Sequence, residues 1–169
     1  MICIPGDEMK TREQIPVKTE KGNAVIHERL KILNAEEYFA VLATDDGHRP
    51  YNSLVAYALT PDARKIIFAT PRKTRKYTNI IRSAHVALLI DNRSKRKKNL
   101  METEAITIIG TAKPVRKGKI WNEFARTFLM KHPDLEEFIN FPTTALMAVD
   151  ISQCIHVNRF QTISILDYT

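Results

Sequence analysis

Ile66-Ile67-Phe68-Ala69-Thr70-Pro71-Arg72-Lys73-Thr74-Arg75-Lys76-Tyr77-Thr78-Asn79-Ile80 decides how the rest of the chain is read. Its first five residues are apolar, β-branched or aromatic, which is strand chemistry. Pro71 breaks the run, and hydroxyls and cations follow. From Thr74 the spacing changes to that of a helix. Tyr77, Ile80, Ile81 and Ala84 fall at i, i+3, i+4 and i+7 as one apolar stripe, and Arg75, Asn79 and Arg82 fall on another face. Strand, turn and helix in that order place Thr70, Thr74, Arg75 and Lys76 at a helix start. Free backbone N–H groups and the positive end of the helix dipole make such a start a seat for phosphate.

Working outward, the chain before this stretch predicts two more strands. Tyr38 to Thr44 is one, Asp45-Asp46-Gly47 is a turn, and Tyr51 to Leu59 is the next. Thr60-Pro61-Asp62-Ala63 turns into Lys65 to Thr70. Three strands joined by short turns form an antiparallel meander. Ahead of them, Val25, Ile26, Arg29, Leu30 and Leu33 predict a helix ending near Asn34. Asn34 with Glu37 three residues on reads as the cap of a further helical turn. Residues 1 to 22 carry charges, prolines and glycines without periodicity and read as a mobile or loosely packed arm.

Beyond the helix, His85 to Ile90 and Glu104 to Ala112 are strands, with Gly110 marking a bulge. Ile120 to Met130 is helical, and Pro133 starts a short helix over Asp134 to Ile139. Thr143 to Val157 and Thr162 to Leu166 complete the strands. The expectation is a mostly β, single-domain barrel of antiparallel strands with flanking helices, spanning residues 23–169.

The 169 residues carry 26 Lys and Arg against 19 Asp and Glu, a net charge of +7. That charge permits nucleic-acid binding without establishing it. Much of it sits in Arg72 to Lys76 and in Arg93-Ser94-Lys95-Arg96-Lys97-Lys98. The second run reads as a solvated loop; it holds no aromatic residue for base stacking, which argues against a nucleic-acid module. No apolar run reaches membrane-spanning length, and Met1-Ile2-Cys3-Ile4 lacks the basic start and long apolar core of a signal peptide, so the expected location is cytoplasmic. Cys3 and Cys154 read as two reduced thiols. The five histidines show no ligand-like spacing, and no metal site is expected. Gly-x-Gly-x-x-Gly and Gly-x-x-x-x-Gly-Lys loops are both missing, which excludes Rossmann and P-loop nucleotide binding. No Ser-His-Asp or Cys-His arrangement follows from spacing.

The ordered set Leu42-Ala43-Thr44, Gly47-x-x-Pro50, Phe68-Ala69-Thr70, Thr74-Arg75-Lys76 with Asn79, and Ile109-Gly110-Thr111-Ala112 resembles the pyridoxamine 5′-phosphate oxidase-like flavoproteins, the FMN-binding split barrels. The resemblance runs from about Ala40 to Ala112. It implies a homodimer with FMN in the clefts between subunits. It also implies that Thr74, Arg75 and Lys76 hold the FMN phosphate. By the same likeness, Asn52, Ser53, Leu54 and Val55 line the flavin ring and Ala69 and Thr70 flank it. Asn79 stands one turn beyond Arg75. Trp121 and Arg159 are candidates for contact from the partner subunit.

In the vitamin B6 oxidases an arginine on the second strand helps bind phosphate; Ser53 stands at that place here. Their arginine- and tryptophan-bearing C-terminal segment has no counterpart in Ser164-Ile165-Leu166-Asp167-Tyr168-Thr169. The function implied is therefore an FMN-dependent oxidoreductase of another, unidentified substrate. The alternatives are a non-catalytic or electron-carrying flavin protein and a relative using the deazaflavin F420; heme-handling relatives also exist. Redox chemistry at a flavin belongs to the cofactor and requires no side-chain acid or base.

Overall fold

The computed structural model describes residues 18–20, 23–93, 100–158 and 162–168. Its strands are β1 (Lys18–Glu20), β2 (Phe39–Asp45), β3 (Pro50–Leu59), β4 (Lys65–Pro71), β5 (His85–Asp91), β6 (Glu104–Pro114), β7 (Thr144–Asn158) and β8 (Thr162–Asp167). The helices are α1 (Asn23–Glu36), α2 (Arg75–Arg82), α3 (Lys119–Lys131) and α4 (Glu136–Asn140), the last preceded by a 3-10 turn over Pro133–Leu135. The run from Ser94 to Lys98, Arg159 and most of the stretch read as an arm lie outside the described residues. Lys18–Glu20, within that stretch, pairs parallel to β8.

Each strand of the meander alternates its residues, so one face is apolar and must be covered. The meander closes on itself to do this. β2 pairs with β3, β3 with β4, β4 with β7, β7 with β6, β6 with β5 and β5 with β2, every pair antiparallel. The result is a closed six-stranded barrel, with β8 and β1 appended beyond β7. Leu42, Phe68, Leu88, Ile106 and Ile108 fill its interior with no exposed surface. Closure leaves these six strands no open edge inside the ring.

Closure depends on β7, whose first half faces β4 and whose second half faces β8, while β6 runs along its other side. The β6–β7 register slips between Ile109 and Gly110, leaving Ser152 as the extra residue, as the expected bulge requires. Ser152 Oγ donates to the Ile109 carbonyl at 3.0 Å. A Cβ on Gly110 would stand 2.3 Å from the Asp150 carbonyl oxygen, so only glycine admits this approach.

α1 covers one end of the barrel with Ile26, Leu30 and Leu33, all fully buried. It runs unbroken to Glu36, where a restart at Asn34 was expected. The reason is tertiary: Asn34 Oδ1 accepts the Leu59 N–H at 3.0 Å and Lys131 Nζ at 3.0 Å, so its side chain is not left to cap a new turn. Arg29 reaches across to Glu104, which also meets His156 Nε2 at 3.0 Å, and both Glu104 and His156 are buried. Between α3, α4 and the outer wall of the barrel lies a second core of Ala58, Ile67, Trp121, Ala125, Phe128, Ile139 and Leu146.

Lys131 ties α3 to α1. Its ammonium donates also to the Glu37 carbonyl at 2.8 Å and lies 3.7 Å from the centre of the Tyr57 ring. Burial pushes this lysine down to about 7, against the opposing pull of Glu37. The folded pKa is below the unfolded one, so between pH 7 and 10 the unfolded chain binds the extra proton and Lys131 makes stability rise with pH.

Gly110→Ala is expected to lower the unfolding free energy by about 2–4 kcal/mol in chemical denaturation, the range of severe core disruption. Gly47→Ala, at φ +95° with open space around it, is expected to cost about 1 kcal/mol from backbone conformation alone. Lys131→Met is expected to remove about 1–2 kcal/mol of the stability gained between pH 7 and pH 10; superimposable pH profiles for the two proteins would contradict the burial of the charge.

Candidate functional site

Pro71 ends β4 and starts a tight turn closed by the Thr74 N–H on the Pro71 carbonyl at 3.1 Å. Thr74 then caps α2. Its side chain accepts the Tyr77 N–H, and its carbonyl accepts the Thr78 N–H. The N–H groups of Arg75 and Lys76 are left at the open end of the helix. Thr74 Oγ1 donates to the Pro71 carbonyl at 2.9 Å and stands 2.9 Å from Thr70 Oγ1. Thr70 is buried, so the two hydroxyls lock the end of the strand to the cap of the helix.

A groove of about 700 Å³ opens beside this turn. Leu54, Val55, Ala56, Ala69, Thr70 and Pro71 line it from β3 and β4, and Lys76 from α2. Phe128, Lys131, His132, Leu135 and Phe138 line it from α3, α4 and the turn between them, as do Phe39 at the start of β2 and Tyr38 just before it. Its volume and mostly apolar wall are those of a small-molecule or cofactor site. His132 Nε2 is 2.7 Å from the Tyr57 carbonyl and so donates there, leaving Nδ1 as the lone-pair nitrogen. Burial holds the His132 ring below the usual histidine range.

Of the ten cofactor residues expected from the sequence, Leu54, Val55, Ala69, Thr70 and Lys76 line the groove. Thr74 supports the turn from behind. Arg75 lies at the helix start beside Lys76, where its Nη2 donates to Asp46 Oδ2 at 2.8 Å and its guanidinium carbon is 4.9 Å from the centre of the Tyr51 ring. That bond, with the N–H groups of His48 and Arg49, holds the Asp46 carboxyl down at about 2. Lys76 has no ion-pair partner among the described residues. Asn52 points to solvent on the outer face. Ser53 alternates with Leu54, and its Oγ is buried without a hydrogen-bond partner.

Asn79 does not line the groove. It is buried and donates to Thr44 Oγ1 at 3.0 Å, docking the helix on β2, while Ile81 of the expected apolar stripe is exposed. Trp121 packs in the second core of its own chain under Lys117 and does not line the groove. Arg72, in the first basic run, donates to the Tyr77 hydroxyl at 2.9 Å. The groove wall from Phe128 to Phe138 was not expected as part of the site. Its one sequence signal is the interruption of a helix by His132-Pro133 between two aromatic-bearing segments.

Among the described residues, no group of three or more His, Cys, Asp and Glu is placed to hold a metal ion, and no helix is long and apolar enough to cross a membrane. Similar solved structures include a heme binding protein from Mycobacterium smegmatis, at 14% identity and a TM-score of 0.74, over 83% of this chain and 57% of that one. The chain therefore spans little more than half of that protein. HutZ, the heme storage protein of Vibrio cholerae, matches at 16% identity and a TM-score of 0.64, over 73% and 88% of the two chains. A putative pyridoxamine 5′-phosphate oxidase from Listeria innocua matches at 15% identity and a TM-score of 0.61, over 79% and 98%. At these identities the likeness is one of fold. No curated protein matches the chain by sequence. Residues 26–158, from α1 to the end of β7, match the family model of pyridoxamine 5′-phosphate oxidase, and the chain belongs to that family of split-barrel proteins.

Proposed function

We propose that this protein binds FMN in the groove beside the Pro71 turn and acts as a flavin-dependent oxidoreductase. One observation carries the reading. A groove of about 700 Å³ with an apolar floor meets, at one end, a capped helix start bearing Lys76 and Arg75. The residues fit the group. Leu54, Ala56 and Ala69 offer a flat apolar surface for a ring system. The N–H groups at the start of α2 and the two cations suit a terminal phosphate. When bound, FMN supplies hydride or electron transfer at its ring. The chain's own work is to bind and orient. Thr70 and Thr74 fix the turn that aims the cations, and Phe128, Leu135 and Phe138 exclude water from the apolar wall.

A second copy of the chain completes the cleft in this reading. Phe39, Val41 and Ala43 of β2, Leu54 of β3, Ala87 and Leu89 of β5, and Ile109 of β6 face outward from the barrel. They are adjacent across the ladders, with Val41 opposite both Leu54 and Leu89 and Ala87 opposite Ile109. Phe39 is 56% and Leu54 63% exposed, which makes this face an interaction surface of the kind a homodimer buries.

Heme is a second reading. The heme-binding and heme-storage roles in the names of the M. smegmatis and V. cholerae proteins favour it, and so does the lone-pair Nδ1 of His132 at the groove wall.

Titration of the purified protein with FMN, followed by visible absorbance and fluorescence, is expected to show saturable binding; hemin is the parallel ligand. Saturation by hemin with no binding of FMN would replace the first reading by the second. Arg75→Ala with Lys76→Ala is expected to raise the FMN dissociation constant at least about tenfold, the scale of lost charge-assisted bonds. Equal affinity in the double variant would refute the phosphate assignment. Reduction of bound FMN by NADH or NADPH without air separates an enzyme from a flavin carrier. Sedimentation is expected to show a dimer, and Leu89→Asp a monomer; a wild-type monomer saturated with FMN would rule out the shared cleft.

A further inference from the structure

We propose that Asp46 sets the charge selectivity of the anion seat at the start of α2, opposing Arg75 and weakening the hold on a doubly charged phosphate. The inference rests on the flavin reading above and concerns the same site.

Asp46 belongs to the turn between β2 and β3, and its carboxylate is fixed there. Oδ1 accepts the N–H of His48 at 3.0 Å and that of Arg49 at 2.9 Å. Oδ2 is thereby aimed at Arg75 Nη2, 2.8 Å away. Only one arm of the guanidinium fork is used. Its face is held separately against Tyr51, with 4.9 Å from guanidinium carbon to ring centre. Arg72, three residues before Arg75, is turned onto Tyr77 and makes no bond to Asp46.

Lys76 on the groove wall and Arg75 are the cations of the helix start, Arg72 and Lys73 precede them in the exposed turn, and Asp46 sets one negative charge against Arg75. A phosphomonoester near neutral pH brings close to two negative charges. Such a group must draw Arg75 away from Asp46 or sit beside the carboxylate, and either course costs binding energy. A singly charged group, such as a carboxylate or a phosphodiester, meets less repulsion from Asp46 than a doubly charged one.

The test is Asp46→Asn. Asparagine keeps Oδ1 for the two turn N–H groups, removes the charge, and leaves Tyr51 to hold the guanidinium. Asp46→Ser, which also retains an acceptor for the turn, is the second variant should the first unfold. The expected result is FMN binding about tenfold tighter than wild type at low salt, the gap narrowing as salt is added. Riboflavin, with the same ring and no phosphate, is expected to bind both proteins alike. Unchanged FMN affinity, or an equal gain for riboflavin, would overturn the proposal. Weaker FMN binding by the variant would overturn it too, showing that Asp46 positions Arg75 for the phosphate. FMN binding by neither protein would remove the flavin reading and this inference with it.

Discussion

The close approach of β6 and β7 at Gly110 is the constraint on which the rest of the molecule depends. β7 is 15 residues long and must serve two partners on one side, β4 and then β8. A straight strand of that length would carry the sheet outward. The extra residue at Ser152 bends it, and the absent Cβ of Gly110 lets the backbones meet at the bend. With the ring closed, β4 is held against β7 from Lys65 to Pro71, and the position of Pro71 is set by the Thr144 opposite it. The turn that aims α2 is therefore anchored through the barrel wall and not by local sequence alone. A site built on a strand end and a helix start in this way inherits the rigidity of the barrel.

Much of this was legible because it is local. The 66–80 stretch contains its own instructions: a β-branched run, a proline, a hydroxyl-rich turn and a change of period. Thr74 stands at the start of α2 as the spacing indicated, and the structure adds that it caps the helix. Gly110 announced the bulge because a lone glycine in a strand pattern has few other uses. What escaped was nonlocal. Asn79 fell on the same helical face as Arg75 by spacing, yet Thr44 on β2 claims its amide and draws that side of the helix into the barrel. Ile81 is left outside as a consequence, because an eight-residue helix can bury only one narrow side against the barrel. Asn34 likewise looked like a cap and became a tertiary acceptor.

The groove wall shows the same limit from the functional side. Phe128, Lys131 and His132 are some sixty residues from Ala69 and Thr70 in sequence and face them across one cavity. Nothing in the spacing of α3 distinguishes a helix that packs wholly into a core from one that packs by one end and walls a cleft by the other. α3 does both: Trp121 and Ala125 are buried in the second core, and the last turn reaches the groove. The aromatic residue that drew notice in the sequence, Trp121, is the one the fold uses for packing.

Charge is where counting and structure part furthest. The net +7 and the dense run from Arg72 to Lys76 suggest a strongly attractive patch. The structure separates Arg72, Arg75 and Lys76 of that run. Arg72 is engaged by Tyr77, Arg75 by Asp46 and Tyr51, and Lys76 alone of the three faces the groove. An exposed ion pair such as Arg75 with Asp46 adds little to stability. In the flavin reading its weight falls on the incoming anion, because it fixes one arm of the guanidinium and places a carboxylate in the ligand's field. The affinity of such a seat is then set by which cations remain unpaired, a property of the turn between β2 and β3 as much as of the basic run itself.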